Sequence, residues 1–203
     1  MRFHTNDDRL PLMRPLARSL LAALFLSPIS VALAGELDGG FEQVFSGDPV
    51  EEWRLINGSF LQVVGGETNT ISATDSELYL ERATVNRSGN NQHAVALTGD
   101  ALMQTISTAF RGGGIHVNDR AYVHLIDNQI LIAPEDMRPG ERLTIGVDMS
   151  YSAASAPPFN GRATIDSTLI RVADAPDPRD ISSGLGLRMT HGQADIVNGT
   201  RIA

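Results

Sequence analysis

The sequence contains no cysteine. Disulfide bonds, cysteine-ligated metal sites and a lipid-modified cysteine behind a leader peptide are therefore all excluded. A domain built from this chain must be held together by its core and its backbone hydrogen bonds alone. Residues 35–203 are enough for such a core, because a domain of about 150 residues buries roughly 70% of the surface of its unfolded chain.

Lysine is also absent, so all 16 basic residues are arginines, against 24 acidic residues. The formal net charge is −8, and it is −10 for residues 35–203, because residues 1–34 contain four arginines and two aspartates. Nucleic acids and anionic membranes are bound by clustered positive charge, and the sequence shows no basic cluster. We therefore expect neither of them as a partner.

A long apolar run is missing as well, but a short one lies near the N-terminus. Arg14 and Arg18 precede an apolar stretch at 19–31, and Ala32-Leu33-Ala34 follows it. A basic region, a short apolar region and an A-x-A cleavage site are the three parts of a secretory signal peptide. Pro28 interrupts the apolar stretch, which is too short for a membrane span.

The sequence predicts a signal peptide followed by one domain. Residues 1–34 form a signal peptide, and Met13 is the favoured start because the residues before it are polar and mixed in charge. Residues 35–203 form a single domain, since no linker of inter-domain length interrupts them. The protein is expected to be exported and to reside in the periplasm, on the cell surface or in the medium, with no transmembrane segment in the mature chain.

Convincing helix-period segments are absent from residues 35–203, which instead contain short alternating strands separated by turns. Two-residue turns at Asn57-Gly58, Asp127-Asn128 and Asn198-Gly199 each stand between two such strands. These residue types tolerate the positive φ of a type I′ turn. The pattern predicts three β-hairpins, at 53–64 and 122–133 and at the C-terminus.

The strand pattern predicts an all-β fold of about ten to twelve strands. Leu143, Ile145 and Val147 alternate with polar or small residues, as in a half-buried antiparallel strand. The predicted fold is an antiparallel β-sandwich of jelly-roll type. A β-solenoid is the alternative, because the segments that end at Ala133, Ala173 and Ala203 resemble one another, but their spacings of 40 and 30 are irregular.

The first 45 or so residues after the leader carry a further pattern. A strand that begins at Phe41 leads through an acidic loop to Trp53, then to a glycine-containing hairpin and a strand that ends at Gly66; Glu77–Leu80 stands in the place of the next strand. This order resembles the opening of the concanavalin A-like lectin and glucanase sandwiches, including laminin G-like modules. The resemblance implies a lectin-like fold with a polysaccharide ligand.

Candidate ligand-binding residues follow from this hypothesis. If one concave sheet carries the site, Trp53, Tyr79, Tyr122 and Asp127 are the side chains that we expect to contact a sugar. Trp53, the only tryptophan, suits a core position under the first hairpin better than an exposed platform. The chain has few aromatics for stacking on sugar rings.

The sequence predicts no cofactor, although two kinds of metal site stay open. Calcium prefers carboxylate and amide oxygens on loops, and these are offered by Asp127 with Asn128 or by Asp174, Asp177 and Asp180. The same residues are common in turns without a metal. A second group would form if two strands brought together His116, Asp119 and His124.

The preferred function is an exported, non-enzymatic module that binds a polysaccharide. The alternative is a self-assembling or partner-binding surface protein, such as a fibre- or pilus-associated subunit, with Ile196, Val197 and Ile202 on an edge open to strand addition. A glycoside hydrolase is disfavoured, because the acidic pairs Glu51/Glu52 and Glu135/Asp136 are adjacent in sequence, and adjacent strand residues point to opposite faces.

Overall fold

The computed structural model describes residues 35–137, 143–149, 161–173, 183–190 and 192–203. These residues all belong to one compact unit, Ala32–Ala203. The predicted signal peptide lies outside the described residues, as do most of the proline-containing segments 152–161 and 174–183, which include Asp174, Asp177 and Asp180. The described part contains one 3₁₀ turn, Pro134–Asp136, and no helix in it is long and apolar enough to cross a membrane.

The described strands form three sheets, and the pairing is parallel throughout. Sheet A consists of β1 (Glu36–Asp38), β3 (Trp53–Ile56), β6 (Ile71–Thr74), β9 (His93–Thr98), β12 (Gly114–Val117), β15 (Leu143–Met149) and β18 (Ser183–Met189). Sheet B consists of β2 (Phe41–Phe45), β4 (Phe60–Val64), β7 (Glu77–Glu81), β10 (Leu102–Ile106), β13 (Tyr122–Ile126), β16 (Arg162–Asp166) and β19 (Gln193–Val197). Sheet C consists of β5 (Glu67–Thr68), β8 (Thr84–Asn86), β11 (Ala109–Arg111), β14 (Gln129–Ile132), β17 (Leu169–Val172) and β20 (Arg201–Ile202).

The strand order shows that the chain winds in coils. The first coil contributes one strand each to sheets A and B, and every later coil runs from sheet A to sheet B to sheet C and adds one strand to each. We number the coils from 1 (β1 and β2) to 7 (β18 to β20). Such stacking of supersecondary units is a β-solenoid, in which each unit buries its apolar face against its neighbours.

This architecture corrects two predictions. The prediction of an antiparallel jelly-roll sandwich is wrong, because the sheets are parallel. The resemblance to the concanavalin A-like sandwiches is wrong for the same reason. The solenoid was hard to recognise because its coils differ in length. Tyr122 pairs with Leu102, 20 positions earlier, and with Arg162, 40 positions later; Arg162 in turn pairs with Gln193.

The three predicted hairpin turns are turns, but they do not form hairpins. Asn57 and Gly58 both have positive φ, 57° and 74°, and they lead from sheet A into sheet B. Asp127, with φ 54°, and Asn198, with φ 51°, stand at the corner from sheet B into sheet C. The left-handed backbone therefore bends the chain into the next sheet, and the two strands that flank a turn never pair with each other.

Inward-facing side chains stack in columns between the sheets. In sheet C one column runs through Val85, Phe110, Ile130 and Ile170, all with no solvent exposure. Each apolar side chain of this size, when fully buried, stabilises the fold by about 1.5–3 kcal/mol relative to an exposed one. The columns give the solenoid one continuous core along its axis.

A ladder of polar side chains supports the corner between sheets B and C. The backbone amide of Thr108 donates to Asn128 Oδ1 at 2.8 Å, and the amide of Asn128 donates to Thr168 Oγ1 at 3.3 Å. The amide of Thr168 donates to Thr200 Oγ1 at 3.3 Å. Each coil thus satisfies a buried amide of the coil before it, which keeps the corner in register.

Candidate functional site

Sheet B presents a long outer face, formed by the first, third and fifth residues of its strands. The first column of this face contains Phe41, Phe60, Glu77, Leu102, Tyr122, Arg162 and Gln193. The third column contains Gln43, Gln62, Tyr79, Gln104, His124, Thr164 and Asp195. The two columns thus contain aromatic rings together with amides and other hydrogen-bonding groups.

Two of the four sequence-predicted binding residues, Tyr79 and Tyr122, lie on this outer face. Their strands are separated by β10, so the two rings are two strand spacings, about 10 Å, apart along the axis. Tyr122 lies beside His124, with ring centroids 6.4 Å apart. At the N-terminal end of the same face, Phe41 stacks on Phe60 with centroids 5.4 Å apart, and Phe41 is 48% exposed.

The outer face of sheet B contains a depression of about 690 Å³ next to Tyr122. Its lining comprises Arg120, Tyr122, Arg162, Ala163, Thr164, Gln193 and Asp195. The Tyr122 hydroxyl and the Thr164 hydroxyl lie 3.1 Å apart within it. One aromatic ring, two guanidinium groups, an amide and a carboxylate therefore converge on one concave surface.

Two charged groups of the depression differ in their surroundings. Arg120 donates to both carboxylate oxygens of the exposed Asp100, at 2.5 Å each, and this hydrogen bonding lowers the pKa of Asp100. Arg162 has no ion-pair partner among the described residues. The charge of Arg162 is thus available to a ligand, whereas that of Arg120 is already balanced.

Tyr79 differs from Tyr122 in its hydrogen bonding. The Tyr79 hydroxyl donates to Glu81 Oε2 at 3.0 Å. Burial, followed by the hydrogen bond and the negative charge of Glu81, raises the pKa of Tyr79. The phenol therefore stays protonated at neutral pH, and its ring faces outward with a fixed hydroxyl.

The other two predicted binding residues lie elsewhere. Trp53 begins β3 in sheet A and packs against the core, and its Nε1 atom is buried without a hydrogen-bond partner. Asp127 is exposed at the corner between sheets B and C, where it accepts a hydrogen bond from Ser107 Oγ at 3.0 Å. The structure brings neither residue into the depression around Tyr122.

Sheet A carries a second cluster of chemical groups, which sequence reasoning missed. His93, His116 and Asp148 place a nitrogen or oxygen ligand atom each within 4.8 Å of one another. The two imidazole rings stack with centroids 5.0 Å apart and an interplanar angle of 17°. His116 Nδ1 lies 3.5 Å from Asp148 Oδ2, at the outer limit of a hydrogen bond.

Burial and charge define the state of these groups. Desolvation, assisted by the adjacent His116, lowers the pKa of His93 to about 4, so the ring is neutral at neutral pH. Asp148 is only 2% exposed and accepts two hydrogen bonds from Arg188, at 3.0 and 2.6 Å. The Nδ1 atoms of His93 and His116 are both buried with no hydrogen-bond partner.

The fold brings the two histidines together through an irregular pairing of β9 with β12. Gly114 pairs with His93 but Ile115 pairs with Val95, so Ala94 is an extra residue, or bulge, in β9. The glycines ahead of β12 allow close backbone approach: a Cβ on Gly113 would lie 2.8 Å from the amide nitrogen of Ala94. No sequence signal predicts this contact, because the interval between the coils is not constant.

The structure does not bring together the metal ligands that the sequence predicted at His116, Asp119 and His124 or at Asp127 and Asn128. His116 lies on sheet A, Asp119 at the corner with φ 55°, and His124 on sheet B. Asp119 Oδ2 instead accepts from the amide of Gly99 at 3.0 Å. The Asn128 side chain is buried and bound to Thr108, while that of Asp127 is exposed, so the two do not face a common calcium position.

The protein is a parallel β-solenoid with two candidate sites, one on the outer face of sheet B and one on sheet A. No family model matches the chain, and no curated protein or solved structure matches it either. Function must therefore be inferred from the chemistry of its own surface.

Proposed function

We propose that the protein is an exported polysaccharide-binding module and that its binding surface is the outer face of sheet B. The observation that carries this proposal is the position of Tyr79 and Tyr122 on one face, with the depression around Tyr122 between polar side chains. Sugar rings stack their apolar C–H faces on aromatic rings, and their hydroxyls bind amides, carboxylates and guanidinium groups. The signal-peptide pattern in residues 1–34 supports export to the periplasm, the cell surface or the medium.

The geometry of a parallel solenoid supports a linear ligand. Each column of sheet B repeats once per coil, at the strand spacing of about 4.8 Å. The face therefore offers a regular series of contacts along one axis, from Phe41 in coil 1 to Gln193 in coil 7. An extended polymer can contact several coils at once, through side chains of different types, which raises its overall affinity.

The acidic pairs have no catalytic role in this function. Glu52 Oε1 accepts a hydrogen bond from Ser88 Oγ at 2.6 Å, and Asp136 Oδ2 accepts from the amide of Ala133 at 2.8 Å. These two carboxylates are thus engaged in local structure. Binding without turnover is the activity that the outer face of sheet B supports best.

The experiment is a binding screen of the purified protein against neutral and acidic polysaccharides, in calcium and in EDTA. We expect retention by at least one linear polysaccharide and a lower affinity for short oligomers of the same sugar. We expect the same retention in calcium and in EDTA, because the side chains of Asp127 and Asn128 do not face one calcium position. No retention by any polymer would contradict the proposal.

A second function, self-assembly, is supported by the last coil. Ile196 and Ile202 lie in columns whose other apolar members are buried, yet they are 47% and 45% exposed. At the opposite end, Glu42 is exposed and places a charge in the inward column next to Leu61. Inward charges block edge pairing, so we expect the last coil to contact the last coil of a second copy, as a closed dimer.

The oligomeric state tests this second function. Sedimentation velocity of the purified protein should show a dimer, and Ile196→Asp should shift it to the monomer. Val50→Asp is the matched control, because Val50 is 46% exposed but lies outside the strands of the last coil. A protein that is monomeric at all concentrations would rule out the dimer.

A further inference from the structure

The cluster of His93, His116 and Asp148 offers a set of donors that suits a transition metal. Two imidazole nitrogens and one carboxylate oxygen are the ligand types found in three-ligand zinc sites, whose remaining position stays open. Calcium and magnesium prefer oxygen ligands and do not fit such a set. The three side chains come from β9, β12 and β15, which are adjacent strands of sheet A in coils 4, 5 and 6.

Binding one ion requires an imidazole ring to turn, because the two rings stack nearly parallel, with an interplanar angle of 17°, and imidazole lone pairs lie in the ring plane. Bonds of about 2.0–2.2 Å in a tetrahedral site place neighbouring ligand atoms roughly 3.4 Å apart. His116 Nδ1 and Asp148 Oδ2 are already 3.5 Å apart, and all three ligand atoms lie within 4.8 Å. Rotation of the His93 ring toward the other two ligands would complete the set.

The unpartnered nitrogens are the independent observation that points to a ligand. The Nδ1 atoms of His93 and His116 are buried; neither makes a well-formed hydrogen bond, and His116 Nδ1 has only the 3.5 Å contact with Asp148 Oδ2. A buried polar atom without a partner is unfavourable, and here two imidazole rings with such nitrogens stack on each other. A metal ion would satisfy both.

Two arginines, Arg188 and Arg87, lie close enough to the cluster to disfavour positive charge on His93, and both make hydrogen bonds there. Arg188 binds both oxygens of Asp148 and orients the carboxylate, as outer-shell partners of metal ligands do. Arg87 donates to the backbone oxygen of Asp136.

We propose that His93, His116 and Asp148 bind one divalent transition-metal ion, of the zinc class, and that the ion cross-links coils 4, 5 and 6. This site is independent of polysaccharide binding on sheet B, since it belongs to sheet A. Because the ion binds the folded protein, it raises the stability of the solenoid by mass action.

The test is a titration of the tag-free, EDTA-treated protein with Zn²⁺, followed by calorimetry and by thermal unfolding. We expect one ion per chain and a higher Tm. Co²⁺ in place of Zn²⁺ should show the visible absorption of a low-symmetry site with nitrogen and oxygen ligands. His93→Ala and His116→Ala should each lower the affinity at least tenfold.

His124→Ala is the matched control, because His124 lies on the outer face of sheet B, away from the cluster. Circular dichroism of every variant checks the fold, and His93→Gln, which retains a polar side chain of similar length, replaces His93→Ala if the latter fails to fold. Failure of the native protein to bind Zn²⁺ or Co²⁺ would overturn the proposal. Binding that survives both the His93 and the His116 substitutions would overturn it as well.

Discussion

His93 and His116, which are 23 positions apart in the sequence, stack with ring centroids 5.0 Å apart and an interplanar angle of 17°. The stack exists because β9 and β12 are neighbours in sheet A and because a bulge at Ala94 shifts their register. It places two titratable rings on a largely buried part of the solenoid. This relationship leads to a prediction about the acid stability of the metal-free protein.

In EDTA, the free energy of unfolding should fall as the pH is lowered from about 6.5 to about 4. The pKa of His93 is about 4 in the fold, compared with 6.5 in an unfolded chain, so in this window the unfolded state binds more protons and is favoured. The loss should reach about 3 kcal/mol near pH 4. Urea unfolding across this pH range measures it.

The His93→Gln variant isolates the contribution of His93. Glutamine does not titrate, so the difference in stability between the variant and the native protein should change with pH by the same amount and in the opposite sense. A pH-independent difference between the two proteins would show that His93 does not titrate as its burial requires.

Gly114 tests the close packing of successive coils. A Cβ at this position would overlap the carbonyl oxygens of Ile145 and Gly146 on the adjacent strand. Gly114→Ala should therefore force the backbone apart and lower the free energy of unfolding by about 2 kcal/mol or more. Thermal and urea unfolding, followed by circular dichroism, measure this loss.

Gly40→Ala is the control for this substitution. Its Cβ would make an ordinary contact of 3.7 Å with Leu37, and its φ does not lie in the left-handed region. We expect a change within about 0.5 kcal/mol. Equal stability of the Gly114 and Gly40 variants would contradict the coil packing described above.

Asn128 tests the polar ladder at the corner between sheets B and C. Asn128→Ala leaves the amide of Thr108 without its 2.8 Å acceptor, and the side chain it replaces is only 1% exposed. The expected loss is about 1–3 kcal/mol in the free energy of unfolding. The neighbouring Asp127→Asn is the control, because asparagine tolerates a φ of 54° and can still accept from Ser107.

Local structure was predictable at the turns, whereas topology was not. Asn57-Gly58 and Asn198-Gly199 have the positive φ values that their residue types indicate. The alternation of Ile145 and Val147 with small or polar residues predicted one buried face, but residues 144–149 are all buried, and the pattern does not separate an antiparallel strand from a solenoid strand. Only the partner strand differs, and it belongs to another coil.

The repeat was visible but irregular. The similarity of the segments that begin at Val123 and Ala163 reflects true register, because these two residues pair in sheet B. Intervals of 20, 40 and 31 positions between paired strands hide the period, since the insertions fall between elements and leave the coil itself intact. The same irregularity kept the pairing of His116 with Asp148 out of reach of sequence reasoning.

Arg162 should contribute to binding through its charge. It lines the depression, and no ion-pair partner for it lies in the described part of the chain. We expect Arg162→Ala to weaken binding several-fold, and more for acidic than for neutral polysaccharides. Arg171→Ala is the matched control, since Arg171 is exposed on sheet C. Equal effects of the two substitutions would indicate a general charge effect.

The most direct measurement is the affinity of the Tyr79→Ala/Tyr122→Ala double variant for the polysaccharide that the native protein retains, compared with that of the Tyr79→Phe/Tyr122→Phe variant. Isothermal titration calorimetry at neutral pH provides both affinities. Stacking on the outer face of sheet B predicts at least a tenfold loss for the alanine variant, equivalent to about 1.4 kcal/mol, and a much smaller loss for the phenylalanine variant. An alanine variant that binds as tightly as the native protein would contradict a binding surface on sheet B.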